Sequence, residues 1–236
     1  MKEEDQRQLP IVLGKEHLDR ILLGVSTVQR ESMSVLRGLE LHANLIGTAL
    51  TALFEASTCH RGCNHGPHIL EAVCARAYNL GASAYLLAVS GFYDESANLI
   101  RSIGEIANLV SLSTADPTLF RDWLVSDPET RKKIFSPYKI RMALENSGGI
   151  QVADEEWYTR FCEGYTHISP TSNPGMHNET GRGFSGGVYQ PKGLQLALDE
   201  LVNVLVALAL FVSRFFKFDD LFAELTHNLE ETHRKS

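Results

Sequence analysis

Apolar side chains recur at three- and four-residue intervals along most of the chain, which places them on one face of an α-helix. No segment shows the sustained alternation of apolar and polar residues that is typical of a half-buried strand. The pattern therefore predicts an all-α protein in which helix follows helix. The predicted helices cover Glu31–Ala56, Pro67–Gly91, Glu95–Ser113, Leu119–Val125, Pro128–Phe135, Pro137–Glu145, Asp154–Ile168, Lys192–Phe216 and Asp219–Glu231.

The length of 236 residues fits one domain that is large enough to bury its own core. We expect residues 1–14 to be a flexible N-terminal segment and residues 15–236 to form a single helical domain. The first residues are polar, so they do not resemble a secretory signal. The apolar stretch Leu201–Phe216 has an unbroken run about half as long as a membrane span requires. We interpret it as a buried core helix, and we expect a cytoplasmic protein with no membrane partner.

The net charge of −7 argues against a surface coated with cations for binding nucleic acid. A local basic patch is still compatible with this charge, because five cations fall close together after residue 130. The sequence contains no phosphate-binding loop, no nucleophile elbow of the G-x-S-x-G type and no H-E-x-x-H segment. The five clustered cations are Arg131, Lys132, Lys133, Lys139 and Arg141.

The segment Ser57–Gly66 interrupts the helical period and is rich in cysteine and histidine. Without an export signal the cysteines are expected to be reduced, and thiolate and imidazole are the ligands that zinc prefers. The sequence therefore predicts a structural zinc site, with His60 as a substitute ligand. The alternative is a polar loop between helices whose histidines face water. The four predicted ligands are Cys59, Cys63, His65 and His68.

One face of the predicted helix Glu95–Ser113 is polar, with side chains at three- and four-residue spacing beginning at the preceding Asp94. Arg101 and Glu105 are one turn apart and can form an ion pair. A solvated face is the simpler interpretation. The alternative is a polar seam that lines a cleft, with Arg101 available to an anion. The face consists of Asp94, Asn98, Arg101, Glu105 and Asn108.

The predicted helix Asp154–Ile168 carries Arg160 and His167, which are seven residues apart and so nearly two turns along one side. Glu163 lies close to the same side. An imidazole moves protons near neutral pH and a guanidinium holds a phosphate, so the pair suits phosphodiester cleavage. The alternative is an exposed Arg–Glu face and a histidine that closes the helix.

The segment Pro170–Pro191 has five glycines and no helical period. A segment of this length without regular structure is unusual inside a compact domain and is more often functional than accidental. It carries His177 and Asn178, and we expect His177 and His167 to face one pocket.

Two segments resemble a set of poorly characterised bacterial helical proteins: Gly91–Glu105, with its Arg-Ser-x-x-Glu sequence, and Tyr165–Pro170, with Tyr-x-His-x-Ser-Pro. These proteins are similar in outline to the HEPN superfamily of helical bundles. Many HEPN proteins are metal-independent ribonucleases of toxin–antitoxin and phage-defence systems, and they carry an arginine, a short spacer and a histidine. Arg160 and His167 fit that pattern.

The resemblance implies an antiparallel, HEPN-like helical bundle with a long glycine-rich loop before the penultimate helix, paired as a homodimer. It implies metal-independent cleavage of RNA by Arg160 and His167, with an antitoxin or another defence protein as partner. Two alternatives stay open: a non-catalytic interaction or sensor module with zinc at the Cys59–His68 loop, and a metal hydrolase that combines this loop with His167 or His177. Supporting roles are expected for Arg101, Glu105, Glu163, His177 and Asn178.

Overall fold

The computed structural model describes residues 12–36, 38–61, 68–168, 170 and 172–235. In these residues the chain forms ten α-helices and no strand, so the predicted all-α class is confirmed. A π-helical turn, Cys162–Thr166, directly follows α8. The helices are α1 Lys15–Leu36, α2 Glu40–Thr58, α3 Ile69–Val89, α4 Tyr93–Ala115, α5 Pro117–Val125, α6 Pro128–Ile134, α7 Pro137–Asn146, α8 Glu155–Phe161, α9 Pro191–Phe216 and α10 Asp219–Lys235.

Helix α9 is the centre of the bundle and packs against α2, α3, α4 and α10. Leu201, Leu205 and Leu208 are almost completely buried along it, which confirms the interpretation of this stretch as a core helix. By length and composition α9 is the one helix in the described residues that could cross a membrane, but 61% of its most apolar window is buried inside the fold. The core helix of a bundle has the same length and composition.

The first helix does not follow the prediction. In place of one helix over Glu31–Ala56, the chain forms α1 from Lys15 and a separate α2 from Glu40. The Gly38 N–H donates to the Val35 carbonyl at 2.8 Å, one of the turn hydrogen bonds that close α1. Glycine has a low helix propensity, which favours a break here. The apolar period continues through the break because both helices turn an apolar face to the bundle, so periodicity alone did not reveal it.

The helix predicted over Asp154–Ile168 also ends differently. It is α-helical only as far as Phe161, and the chain continues as the wider π-helical turn to Thr166. The His167 N–H donates to the Cys162 carbonyl at 2.9 Å, which is the five-residue hydrogen bond of a π-helix. A π-helical turn is wider than an α-helical turn, so every side chain after it points in a different direction from the one that an α-helix would give. Arg160 and His167 therefore do not share one helix face as predicted.

Candidate functional site

The polar face of α4 is not solvated, because α8, the π-helical turn and the following loop pack onto it. The Asn98 amide donates to the Tyr165 carbonyl at 2.6 Å and accepts the Thr166 hydroxyl at 2.7 Å. Asn108, which is buried, accepts the Val152 N–H at 2.8 Å and donates to the Ala153 carbonyl at 2.7 Å. Buried polar groups need such partners, so this face functions as a seam that positions the neighbouring segments.

At the start of α4, Asp94 and His177 form a hydrogen-bonded pair. His177 Nε2 lies 2.7 Å from Asp94 Oδ1, and the Gly175 N–H donates to Asp94 Oδ2 at 2.7 Å. Burial opposes ionisation of Asp94, but the hydrogen bonds from His177 and Gly175 outweigh it and lower the pKa of Asp94 below its ordinary value. When Nε2–H donates to this carboxylate, Nδ1 of the neutral ring is left as the proton acceptor.

Gln190 holds the His177 segment in place. Its Oε1 accepts the His177 N–H at 2.9 Å and the Asn178 amide at 3.0 Å, and its Nε2 donates to the Gly175 carbonyl at 2.7 Å. The Gln190 N–H donates to the Tyr93 hydroxyl at 3.0 Å. Because Gln190 is itself buried, these four hydrogen bonds fix the path of the loop beside α4. Asn178, which the sequence predicted as a supporting residue, stabilises the loop through its hydrogen bond to Gln190.

Two glycines allow this close packing. Gly91 has φ +81°, and a Cβ there would lie 2.6 Å from the Val188 nitrogen. At Gly193 on α9, a Cβ would lie 2.5 Å from the Tyr93 ring and 2.9 Å from His177 Cβ. No side chain fits at these distances, so the loop can lie against α4 and α9 only because both positions are glycine.

Two tyrosines border the His177 ring. Tyr93 meets it edge-on with a centroid separation of 5.4 Å, and Tyr165 lies nearly parallel to it at 6.3 Å. Burial raises the pKa of both tyrosines above the ordinary value, so both remain protonated at neutral pH. The imidazole is thus held on its faces by aromatic groups and at Nε2 by a carboxylate.

Arg160 is held by Glu200, a carboxylate from the central helix α9. Arg160 Nη2 donates to Glu200 Oε1 at 2.8 Å, and Trp157 Nε1 donates to Glu200 Oε2 at 2.8 Å. Glu200 is buried, whereas 61% of the Arg160 side chain is exposed. A guanidinium has five N–H donors, so Arg160 is anchored at one edge and retains donors for a ligand.

Arg160 and His177 line the same cleft, a cavity of about 980 Å³. Together with Tyr165, both also line a smaller adjoining cavity of about 80 Å³. Of the other predicted site residues, Glu163 lies on the rim of the cleft. The cleft is lined by Asp94, Glu155, Glu156, Thr159, Arg160, Glu163, Gly164, Tyr165, Ser172, Asn173, Met176 and His177.

His167 lies elsewhere. It directly follows the π-helical turn, is exposed, and lines neither the cleft nor the smaller cavity. Arg160 therefore shares the wall of the cleft with His177 and Asp94, and His167 is not part of that wall. Periodicity could not have found this arrangement, because His177 comes from a loop outside any helix.

The predicted pair Arg101–Glu105 forms, with Arg101 Nη1 at 2.6 Å from Glu105 Oε1. Arg101 also donates to the Tyr158 hydroxyl at 3.1 Å. Neither residue lines the cleft that contains His177. The pair instead lies on the other side of α8, beside a second cavity that includes Glu105 and Tyr158 in its wall.

Of the four predicted zinc ligands, Cys63 and His65 lie outside the described residues. Cys59 Sγ lies 3.6 Å from His68 Nδ1, and His68 Nδ1 lies 3.7 Å from Glu71 Oε1. The three ligand atoms fall within 4.8 Å of one another. Two ligands at tetrahedral zinc distances lie about 3.5 Å apart, so the spacing suits a metal ion. We call Cys59, His68 and Glu71 the Cys59 cluster.

The substitute ligand His60 is directed towards Glu55 instead, with its Nδ1 at 3.0 Å from Glu55 Oε2. A metal hydrolase that combines this loop with His177 would need Cys59 and His68 in the wall of the cleft. Neither residue lines it. Sequence reasoning missed Glu71, which is one helical turn beyond His68. It also missed Glu200, which follows Asp199 directly before the apolar stretch Leu201–Phe216, so the sequence did not show which of the two carboxylates is buried.

Comparisons of the chain with protein-family models, with characterised proteins and with solved structures give no match. Function is therefore inferred from the side chains of the site.

Proposed function

We propose that the chain is a metal-independent endoribonuclease whose site is the cleft, with His177 and Asp94 as the proton-transfer pair and Arg160 as the phosphate-binding group. The observation that carries the proposal is that a carboxylate-oriented imidazole and an exposed guanidinium line one cavity. These are the two groups that cleavage of a phosphodiester by an adjacent hydroxyl requires. His177 thus takes the role that sequence spacing had given to His167.

The proposed chemistry begins at Nδ1 of His177, which has no hydrogen-bond partner in the part of the chain that the structure describes. This nitrogen accepts the proton of an RNA 2′-hydroxyl as the oxygen attacks the adjacent phosphorus. The bond from phosphorus to the 5′-oxygen breaks, and that oxygen leaves with a proton delivered by the imidazolium. The products are a 2′,3′-cyclic phosphate and a 5′-hydroxyl. Asp94 stabilises the imidazolium between the two proton transfers.

Arg160 supplies the positive charge that the reaction needs. As the hydroxyl attacks, negative charge grows on the non-bridging phosphate oxygens, and donors held in place before the reaction stabilise it. Glu200, which is itself held by the Trp157 indole N–H, fixes one edge of the guanidinium and leaves the other N–H groups for a ligand.

The rim of the cleft limits the substrate. Glu155, Glu156 and Glu163 are exposed there and repel a long polyanion. The proposed substrate is therefore a short or protruding single-stranded segment that presents one scissile phosphate.

A Glu155→Gln/Glu156→Gln variant should cleave a dinucleoside monophosphate with a lower KM than wild type and with the same kcat, because fewer carboxylates then repel the substrate.

The HEPN-like identity of the bundle and a role in bacterial toxin or phage-defence systems belong to the same proposal. They rest on the resemblance of the segments Gly91–Glu105 and Tyr165–Pro170.

The test compares wild type with His177→Ala, Arg160→Ala and the matched control His167→Ala on total RNA, tRNA and dinucleoside monophosphates, with chelator present. Loss of positioned acid–base catalysis should lower the rate by about 10²–10⁴-fold in His177→Ala. His167→Ala should retain the wild-type rate, and DNA should stay intact. Equal rates for wild type and a folded His177→Ala variant, or no cleavage by wild type, would overturn the proposal.

A second candidate function is a non-catalytic interaction or sensor module, and the Cys59 cluster favours it. A metal there would join the end of α2 to the start of α3 and fix the surface between them. An inactive wild type that contains stoichiometric metal would support this candidate.

A further inference from the structure

A separate cavity of about 270 Å³ lies on the side of α8 opposite the cleft. Its wall is formed by α4, α5, α7 and α8 and is mainly apolar. It is lined by Glu105, Ile106, Asn108, Leu109, Trp123, Phe135, Pro137, Ile140, Arg141 and Tyr158.

Arg141 is the unusual residue of this wall. Arg141 is 7% exposed. Within the residues that the structure describes, its side chain forms no hydrogen bond and no ion pair. Its guanidinium carbon lies 4.6 Å from the centroid of the Tyr158 ring. A cation–π contact offsets only part of the cost of burying a charge. The Arg141 guanidinium therefore has no anionic partner in the part of the chain that the structure describes.

The surrounding charges do not supply that anion. Glu105 is already paired with Arg101 at 2.6 Å, and Arg101 Nε is itself buried without a hydrogen-bond partner in the described structure. Burial, together with the charge of Glu105, raises the pKa of Tyr158 to about 12, so this residue is neutral. The only carboxylate that the described residues place in the cavity wall, Glu105, is thus paired with Arg101, and Arg101, Glu105 and Arg141 together carry a net charge of +1.

We propose that this cavity binds a small organic monocarboxylic acid with an apolar body, whose carboxylate pairs with the Arg141 guanidinium. A carboxylate matches the fork of a guanidinium through two parallel hydrogen bonds and supplies the single negative charge that is lacking. Trp123, Phe135 and Ile140 offer the apolar wall for the body of the ligand. A phosphate dianion would bury a second charge against this wall without a partner.

The volume limits the ligand further. The cavity is slightly smaller than the range of about 300–1,000 Å³ that is usual for ligand sites, so one aromatic ring or a short branched chain fits. The site is separate from the cleft, and the proposal does not depend on ribonuclease activity.

The experiment measures binding of phenylacetate, 4-phenylbutyrate and hexanoate to the full chain by calorimetry, in parallel with the corresponding neutral amides and inorganic phosphate. At least one acid should bind wild type, and its amide should bind roughly tenfold or more weakly because the charge-assisted hydrogen bonds are lost. Arg141→Met should lower the affinity for the acid by a similar factor and leave weak amide binding unchanged. Lys132→Met, which removes an exposed cation on the adjacent α6, should bind the acid like wild type.

Arg141→Met is expected to fold and to melt at or above the wild-type temperature, because an apolar side chain replaces an unpaired buried charge. If Arg141→Met does not fold, the affinities of wild type for the acid and for its amide still decide the question, because that comparison needs no variant. Absence of acid binding to wild type, equal binding of acid and amide, or preferential binding of phosphate would overturn the proposal.

Discussion

At the scale of single residues, Asp94 and Glu200 are the carboxylates that organise the cleft. Each accepts hydrogen bonds at both of its oxygens, Asp94 from His177 and Gly175 and Glu200 from Arg160 and Trp157. The hydrogen bonds lower the pKa of Asp94 below its ordinary value, so this carboxylate stays ionised although it is half-buried. The two carboxylates keep the imidazole and the guanidinium in fixed orientations, which is what acid–base chemistry needs from its supporting groups.

Asp94→Asn tests this role through the pH dependence of stability. Because the folded-state pKa of Asp94 is lowered, its carboxylate stabilises the fold above the ordinary pKa of 3.8, and this contribution is lost as the pH falls through the lowered folded-state value. At pH 7 the melting temperature of wild type should therefore be higher than that of Asp94→Asn, and this difference should disappear below pH 3.8. A difference in melting temperature that does not change with pH would contradict a charged Asp94 paired with His177.

The Cys59 cluster carries a prediction about metal content. Protein purified without added metal should contain near-stoichiometric zinc, and chelation should lower its melting temperature because the metal joins two helices. Cys59→Ser and Glu71→Gln should lose the metal, whereas the control Cys162→Ser, on the π-helical turn, should retain it. Elemental analysis is the measurement, and metal-free wild type with an unchanged melt after chelation would rule the site out.

At the scale of helices, α8 separates two cavities with different chemistry. Arg160 projects from it into the acidic cleft, and Tyr158 projects into the apolar cavity that holds Arg141. Two residues apart on a helix point to nearly opposite sides, so one short helix forms a wall of both. The π-helical turn that follows then turns the chain towards the loop that carries His177.

The close approach of α9 to that loop predicts the effect of Gly193→Ala. The added Cβ would overlap the Tyr93 ring and His177 Cβ, so the loop must shift at a cost of about 1–3 kcal/mol in the free energy of unfolding. Any activity that depends on His177 should fall as well. Gly47→Ala is the matched control, because a Cβ there meets nothing within 4 Å and should stabilise α2 by about 0.5–1 kcal/mol. Denaturant unfolding of both variants measures the difference.

At the scale of the whole molecule, one chain buries most of the apolar surface of α9 and much of that of α10. Most apolar residues of α9 are in the core, as are Leu221 and Leu225 of α10, whereas Leu196, Phe215 and Phe222 are exposed. Helix α1 leaves large apolar side chains uncovered, with Leu18, Leu22 and Leu23 at 59%, 65% and 69% exposure. Only the C-terminal half of α1 buries residues against the bundle.

We propose that α1 pairs with α1 of a second copy to form the homodimer, since a two-fold axis lets one apolar stripe cover another. Light scattering at micromolar concentration should then give a dimer for wild type and a monomer for Leu18→Glu/Leu22→Glu. The control Val125→Glu, at an exposed apolar residue of α5, should remain dimeric. A wild-type monomer at every accessible concentration would contradict the pairing.

The sequence by itself determined the local features of this protein. Helical periodicity found the all-α class, the buried stretch Leu201–Phe216 and the pairing of Arg101 with Glu105, because each depends on residues that are near one another in the chain. The same periodicity could not locate the break at Gly38 or the π-helical turn. Both are small changes in backbone winding that leave the apolar pattern intact.

Only the tertiary structure decided which groups share a site. His177 meets Asp94 across 83 residues of sequence, and Arg160 meets Glu200 across 40. The burial of Arg141 was equally invisible, since the sequence placed it in an exposed basic patch. These positions depend on how the loop and the helices pack over long sequence separations, and packing of that kind leaves no period in the chain.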